Sequence, residues 1–358
     1  MDIVLMIIYC AIILGFLVLI HEGGHYLAAR MFGVRVSEFM IGLPGPNIGF
    51  TRKGTKFGVT AVPLGGYARI CGMEPGEESP HLADMIRCVF EHGTLNMEDA
   101  SRELGITDDE AYAALDELAE WGTIEGPRKT DKYNTYRTYA VEGDASHPSF
   151  EAGEPHPLDD SQAFYESERR QQYRSLPFWK RSIILLAGPG MNILFTILAF
   201  VVIYSFIGVD MQNQNTGELT HIQVDPLKSL MAGFNYVGMV VVAIAGLFNP
   251  QTAADTVSNS TSIVGIAVLS KSAADQGAVS FTMFAAMLSV SLGLMNMLPI
   301  PPLDGGRFVV EVYQRIRRKA VGHKAMTSLS IAGIALFTLF FFFMLNQDVQ
   351  RFVFGNWG

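Results

Sequence analysis

Four stretches of this chain are apolar on every face: Ile3 to Ile20, Ile183 to Val209, Phe281 to Ile300 and Met326 to Leu345. Each reaches the roughly 18–20 residues that a helix needs to cross a bilayer. A fifth stretch, Leu230 to Phe248, is apolar but carries Gly233, Gly238 and Gly246; periodicity alone does not decide whether it spans or lies in the interface. Lys and Arg set the orientation. Arg30, Arg35, Arg52, Lys53 and Lys56 follow the first stretch, and Arg169, Arg170, Arg174, Lys180 and Arg181 precede the second. Arg307, Arg315, Arg317, Arg318, Lys319 and Lys324 lie between the third and fourth, whereas Asp210 to Ser280 holds only Lys228 and Lys271. The N-terminus is therefore expected outside, Arg30 to Arg181 in the cytoplasm, and Asp210 to Ser280 outside. Four spans satisfy this pattern, so Leu230 to Phe248 is expected to be interfacial. The first stretch has no basic leader and no small-residue cleavage site, so it reads as a retained helix.

Between the first two spans the pattern changes period. Asn47 to Arg52 and Thr55 to Val62 alternate as two short strands, with Lys53-Gly54 as the turn and Pro63-Leu64-Gly65-Gly66-Tyr67 closing the pair. Such a hairpin serves either as a brace or as a free edge for an extended partner strand. From Pro80 to Val141 the pattern reads helix, helix, helix, hairpin: His81 to Glu91, Met97 to Leu104, and a third helix to Trp121. Thr107-Asp108-Asp109-Glu110 is a capping box at the start of the third. Ala111, Ala114, Leu115 and Leu118 form its apolar face. Thr123 to Glu125 and Thr135 to Val141 are the expected strands. The order resembles a small winged helix-turn-helix α+β domain. Glu142 to Asp160 is rich in Pro, Gly and acid and reads as a linker. The expected organisation is thus 1–79, an insert at 80–145, a juxtamembrane linker at 146–180, and the remaining spans at 181–358.

Composition sharpens this division. A mean hydropathy of +0.25 is high for a soluble chain and low for one made only of membrane helices. The chain carries 26 basic and 35 acidic side chains; fifteen of the acidic and only six of the basic ones fall between Pro80 and Ser146. The net charge of -9 thus belongs to the insert alone. Its third helix, Asp108 to Trp121, has six carboxylates and no basic residue, which repels a polyanion. No nucleic acid is expected as partner. A basic cytoplasmic protein surface, or the chain's own Arg and Lys clusters, suits the insert better. Cys10, Cys71 and Cys88 are far apart in sequence and suggest neither disulfides nor a cysteine zinc site.

The candidate chemistry begins where the first span ends, at His21-Glu22-Gly23-Gly24-His25. On a helix this spacing stacks two imidazoles on one face, where both can bind one zinc ion. Glu22 lies beside that face and can take a proton from a water at the metal. A catalytic zinc site has three protein ligands and one open position. Asp304 is a candidate third ligand, because a carboxylate near membrane depth costs up to roughly 3 kcal/mol unless something pairs with it. It follows Pro299, Pro301 and Pro302, which break the helix and leave backbone suited only to a cavity. A helix cap is the plainer role for Asp304, and Glu38 is a weaker competitor as ligand.

Together these motifs resemble the site-2 protease family of intramembrane zinc metalloproteases. The resemblance rests on the His-Glu-x-x-His at the end of the first span, Leu303-Asp304-Gly305 after the third with Asn296-x-x-Pro299 before it, and Ala187-Gly188-Pro189-Gly190-Met191-Asn192 opening the second. Phe178-Trp179-Lys180-Arg181 and Pro63-Leu64-Gly65-Gly66-Tyr67 match its bacterial members. It covers the chain apart from about 80–160 and the outer loop. It implies a polytopic, mainly helical protein with about four spans and a membrane-associated hairpin. His21, His25 and Asp304 would bind Zn2+, with Glu22 as catalytic base. Asn192, Asn296, Gly65 and Gly66 would face substrate, although the two amides equally suit helix-to-helix contact. Transmembrane proteins in the lipid bilayer would be the substrates, among them anti-sigma factors and signal-peptide remnants. Many bacterial members carry an outer PDZ domain, for which Asp210 to Lys228 is too short, and the acidic insert is not part of the usual pattern. Two rival readings are an inactive relative that binds membrane proteins, and a membrane-tethered regulator.

Overall fold

The computed structural model describes residues 2–354 apart from 63–64, 74–77, 129, 132–133, 142–147, 213–218, 259 and 320. Pro63 and Leu64 of the expected turn, and Lys129 and Lys132 between the two expected strands of the insert, lie outside the described residues. The chain is mainly helical. Helix α1 (Asp2–Met31) is unbroken over 30 residues, about 45 Å. Its buried positions Cys10, Ile13, Leu17, His21, Gly24, His25 and Ala28 recur every three or four residues, a single face. Ile3, Ile7, Ile8, Ile12, Phe16 and Leu19 on the other faces are exposed, as lipid-facing side chains are.

Four strands follow: β1 (Val36–Ile41), β2 (Asn47–Arg52), β3 (Thr55–Thr60) and β4 (Gly66–Ile70). They form one sheet in the order β2-β3-β1-β4. The expected hairpin is present as β2 and β3, with Lys53 (φ 48°) and Gly54 (φ 78°) both left-handed at the two-residue turn. It is not a free-standing pair. Strand β1 lies parallel to β3, and β4 is antiparallel to β1 on the far side. The residues expected to close the hairpin therefore open an edge strand, and β3 is an interior strand. Tyr26 of α1 packs edge-on against Phe39 of β1 and Phe57 of β3, each at 5.5 Å. The sheet is thus docked on α1 at the residue that follows His25.

The acidic insert contains α2 (Leu82–His92), β5 (Thr94–Asn96), α3 (Met97–Leu104), α4 (Asp108–Glu120) and β6 (Thr135–Arg137). Thr107 and Glu110 make the expected capping box. Strand β6 pairs with β5 rather than with 123–125, which touches it only through a Glu125–Arg137 bridge. The segment expected to be a linker is packed: Leu158, with Phe164 and Tyr165 of α5 (Ser161–Arg170), covers the insert core of Met85, Ile86, Val89, Leu115 and Leu118. Arg35, just after α1, ties this body to the membrane part. Its guanidinium donates to the Trp121 and Gly122 carbonyls, at 3.2 and 3.0 Å, and to both oxygens of buried Glu168, at 2.7 and 2.9 Å. Arg174 adds a second pair to Glu117 of α4 at 3.7 Å. Replacing Arg35 by alanine would strand a buried carboxylate. Chemical denaturation should then show a loss of roughly 3–5 kcal/mol; a loss below about 1 kcal/mol would mark the pair as an ordinary surface one.

The membrane part continues with α6 (Phe178–Val201), which ends in a π-helical turn at Val202–Ile207. A small hairpin of β7 (Val209–Gln212) and β8 (Leu219–Ile222) precedes α7 (Pro226–Gly246), α8 (Ala253–Ser258), α9 (Ile263–Asp275), α10 (Ala278–Asn296), α11 (Asp304–Arg317) and α12 (His323–Asp348). Among the described residues, five helices are long and apolar enough to cross a membrane: α1, α6 with its last turn, α7, α10 and α12. The stretch expected in the interface is therefore a continuous helix of 21 residues that packs against α6 and α10. The 13-residue α9, which the apolar runs had not marked, packs along α1. Lys271 near its end lies 3.8 Å from Asp2 at the start of α1. At the other end of α9, buried Asp348 from α12 accepts hydrogen bonds from the Ser262 and Gly265 backbone amides and the Ser262 hydroxyl, at 2.7, 3.0 and 2.6 Å.

Candidate active site

Three elements converge on one point. Helix α1 delivers His21 and His25 from its buried face, the first residue of α11 delivers Asp304, and α6 packs behind them. His21 Nε2 is 3.0 Å and His25 Nε2 3.2 Å from Asp304 Oδ2, and the two nitrogens are 3.3 Å apart. Three donors bound to zinc at roughly 2.0–2.1 Å in a tetrahedron would be about 3.3 Å apart. The observed triangle is close to that face, and among the described residues it is one of two clusters whose ligand atoms could hold a metal.

The hydrogen bonding behind the triangle fits a cation. His25 Nδ1 lies 2.8 Å from the Ile184 carbonyl. A carbonyl only accepts, so Nδ1 carries a proton, and in the neutral ring that a metal requires Nε2 presents its lone pair to the triangle. His21 Nδ1 lies 3.4 Å from the side-chain amide of Asn192, which is fully buried and whose Oδ1 has no partner. Turning that amide by half a revolution, an isosteric change, lets Oδ1 accept from His21 Nδ1–H and satisfies the orphan. With both rings neutral, the two imidazoles then face Asp304 with lone pairs, an arrangement suited to a positive charge at the centre.

Glycines allow this approach. A methyl at Gly188 of α6 would collide with the His25 ring, and one at Gly24 would reach the Ala187 backbone and lie 2.8 Å from Met191 Cγ. Gly305 and Gly306 lie so close under the 297–301 backbone that no side chain fits there. The turn can therefore fold over the start of α11, where the helix dipole favours a carboxylate.

Glu22 stands beside the triangle, not in it. Its Oε2 accepts the Ala68 N–H of β4 at 2.9 Å. Gly66, at the start of that strand, has Val18, the Met40 carbonyl and Glu22 Cγ where a side chain would go. Gly65 holds the strand entry at φ 82°, its carbonyl accepting from Gly42 N–H at 2.8 Å. Asn192 is brought to His21, whereas Asn296 sits half-buried at the end of α10 and makes no described hydrogen bond to the histidines or to Asp304. Glu38 is elsewhere: it accepts from the Tyr67 hydroxyl at 3.0 Å and pairs with Arg69 at 3.6 Å. Burial, with that carboxylate alongside, pushes the Tyr67 hydroxyl up. Sequence reasoning missed Ala68, Ile184 and the role of Gly188. The Gly-Pro-Gly run was the available signal for the last; backbone groups leave none.

The chain is similar to known proteins along most of its length. The description "Peptidase family M50" matches residues 9–340. A zinc metalloprotease RasP of Shouchella clausii is 24% identical, the alignment covering 95% of this chain and 97% of that one. The Regulator of sigma-W protease RasP of Bacillus subtilis is 25% identical over the same shares. A putative zinc metalloprotease of Campylobacter jejuni is 25% identical over 96% of this chain and 92% of its own. The family model and these relatives cover nearly the whole length, and the chain belongs to peptidase family M50, the site-2 proteases, as a membrane zinc metalloprotease.

Proposed function

We propose that the chain is an intramembrane endopeptidase in which His21, His25 and Asp304 hold the zinc ion and Glu22 is the base. The observation that carries this reading is the 3.0–3.3 Å triangle of two imidazole nitrogens and a carboxylate oxygen, set on a helix of membrane-spanning length. Zinc held there supplies a Lewis acid and lowers the pKa of a water from about 15.7 toward about 7. The Glu22 carboxylate takes the proton of the attacking water and returns it to the leaving nitrogen. His25, fixed by the Ile184 carbonyl, and His21, fixed by the Asn192 amide, keep their Nε2 atoms in register. Asn192 thus positions a ligand instead of touching substrate.

A peptide bond inside a substrate helix is shielded, so the substrate must unwind, and its freed backbone groups need partners. Strand β4 supplies them. It is the edge of its sheet beside α1, and the Ala68 N–H held by Glu22 faces away from β1. Backbone alternation turns Gly66 the same way. A substrate strand added at Gly66 is delivered next to the base.

The Arg and Lys clusters orient the chain with its N-terminus outside and the insert in the cytoplasm. A spanning α7 is compatible with that, because α9 brings the chain back to the Asp2 end of α1, as the Lys271–Asp2 approach indicates. The insert is read as a winged-helix-like regulatory or docking unit. Its acidic α4 faces the chain's own Arg174 and suits no duplex. The substrates are single-span proteins, with membrane-anchored regulators such as anti-sigma factors and signal-peptide remnants as the classes to try first.

In liposomes carrying the purified protein and a single-span substrate, mass spectrometry should map the cut bond within the apolar span. Substrates with Gly or Pro in that span should be cut faster. Cleavage confined to the soluble flanks would overturn the intramembrane reading.

A further inference from the structure

The second cluster able to hold a metal lies in the insert, far in sequence from the His motif: Cys88 and His92 of α2 and Glu103 of α3. Cys88 and His92 are four residues apart and share one helix face. Their ligand atoms and a Glu103 oxygen all lie within 4.8 Å of one another, with His92 Nε2 3.4 Å from Glu103 Oε2. The imidazole is already oriented. His92 Nδ1 lies 3.0 Å from the Cys88 carbonyl, which can only accept, so Nδ1 carries a proton and Nε2 is the ring atom left to face the thiol and the carboxylate as a ligand. Metal-ligating histidines are commonly held by this kind of bond.

We infer that Cys88, His92 and Glu103 form a second metal site, selective for a borderline divalent transition cation of the Zn2+ class. A thiol, an imidazole and a carboxylate make a donor set that prefers such a cation over Mg2+ or Ca2+, which take oxygen ligands. Cys88 is buried in the insert core, while His92 and Glu103 are partly open to solvent, so the cation has a path in. Burial and the neighbouring Glu103 carboxylate push the thiol up to about 12; the incoming cation must therefore displace its proton to solvent as the sulfur–metal bond forms. Three protein ligands leave one position open, which makes the site exchangeable. It joins α2 to α3, so occupancy stiffens the unit that Arg35 and Arg174 dock onto the membrane part. None of this depends on which residues hold the catalytic zinc.

The test is cobalt titration of the full chain, purified in detergent and stripped of metal. The His21–His25–Asp304 triangle has no sulfur, so a thiolate-to-cobalt charge-transfer band in the near ultraviolet reports only the second site. The band should appear in the wild type, in His21→Ala, and in Cys10→Ser/Cys71→Ser. It should vanish in Cys88→Ser. In His92→Ala and Glu103→Gln, cobalt affinity read from the band should fall at least about 10–100-fold, the loss expected on removing even an orienting partner. These last two substitutions are at partly exposed side chains, so they remain informative should Cys88→Ser misfold. A wild-type spectrum without the band, a band that survives Cys88→Ser, or affinity unchanged in both other variants would overturn the site and leave His92–Glu103 as a surface ion pair.

Discussion

Glu22→Gln should abolish cleavage, by about 10²–10⁴-fold if Glu22 acts as general base, while the zinc content stays that of the wild type. The substitution is mild structurally. A glutamine carbonyl still accepts the Ala68 N–H that Glu22 accepts at 2.9 Å, so β4 keeps its place beside α1. What is lost is the capacity to take a proton. His21→Ala, His25→Ala and Asp304→Ala should behave differently. Each removes a corner of the ligand triangle, and each should lose zinc together with activity. Metal analysis of the purified variants beside cleavage of a single-span substrate separates the two classes. Zinc loss in Glu22→Gln would move Glu22 into the ligand set, and full occupancy in Asp304→Ala would remove Asp304 from it. The same comparison disposes of the inactive-relative reading, which requires the wild type itself to cut nothing.

The second large effect is expected from a single methyl group. Gly188 and Gly190 lie two residues apart in α6. On helix propensity alone, alanine at either should stabilise the helix by up to about 1 kcal/mol. Their surroundings differ. A Cβ at Gly190 meets nothing within 4 Å, whereas one at Gly188 strikes His25 Nε2 and lies 2.7 and 2.8 Å from its Cδ2 and Cε1. The His25 ring must then swing, breaking its bond to the Ile184 carbonyl and pulling a nitrogen from the triangle. Gly188→Ala should therefore lower zinc affinity by at least about tenfold, the scale on which an oriented ligand depends on its partners, and activity should fall with it. Gly190→Ala should keep both. Zinc titration read against a competing chelator measures the difference. Wild-type affinity in Gly188→Ala would mean that the ring has room to relax and that the close packing of α6 does not set the site.

The features legible from the sequence are those written locally. An all-round apolar run of spanning length is lipid-facing wherever it lies, so α1, α6, α10 and α12 could be read directly. Likewise, His21 and His25 share a face because the helix repeat places them there, Lys53-Gly54 makes a tight turn because both residues take positive φ, and Thr107 with Glu110 caps α4 within four residues. The tertiary structure decided whatever depends on pairing between distant segments. Asp304 meets His21 across 283 residues, and the approach is set by glycines whose neighbours lie in other helices. Strand β1 lies parallel to β3 and β4 closes the edge; alternation shows that a strand exists but not which strand it will pair with. The role of α9 was hidden because 13 residues are too few to be read as a span, and with that return path unseen a spanning α7 would have put the Arg307 to Lys324 cluster on the wrong side. The contacts of Glu22 with Ala68 and of His25 with Ile184 use backbone groups, which every residue type carries and no sequence pattern marks. Cys88, His92 and Glu103 show the same limit. Two of them are one helical turn apart, but only the packing of α3 against α2 brings the third within reach.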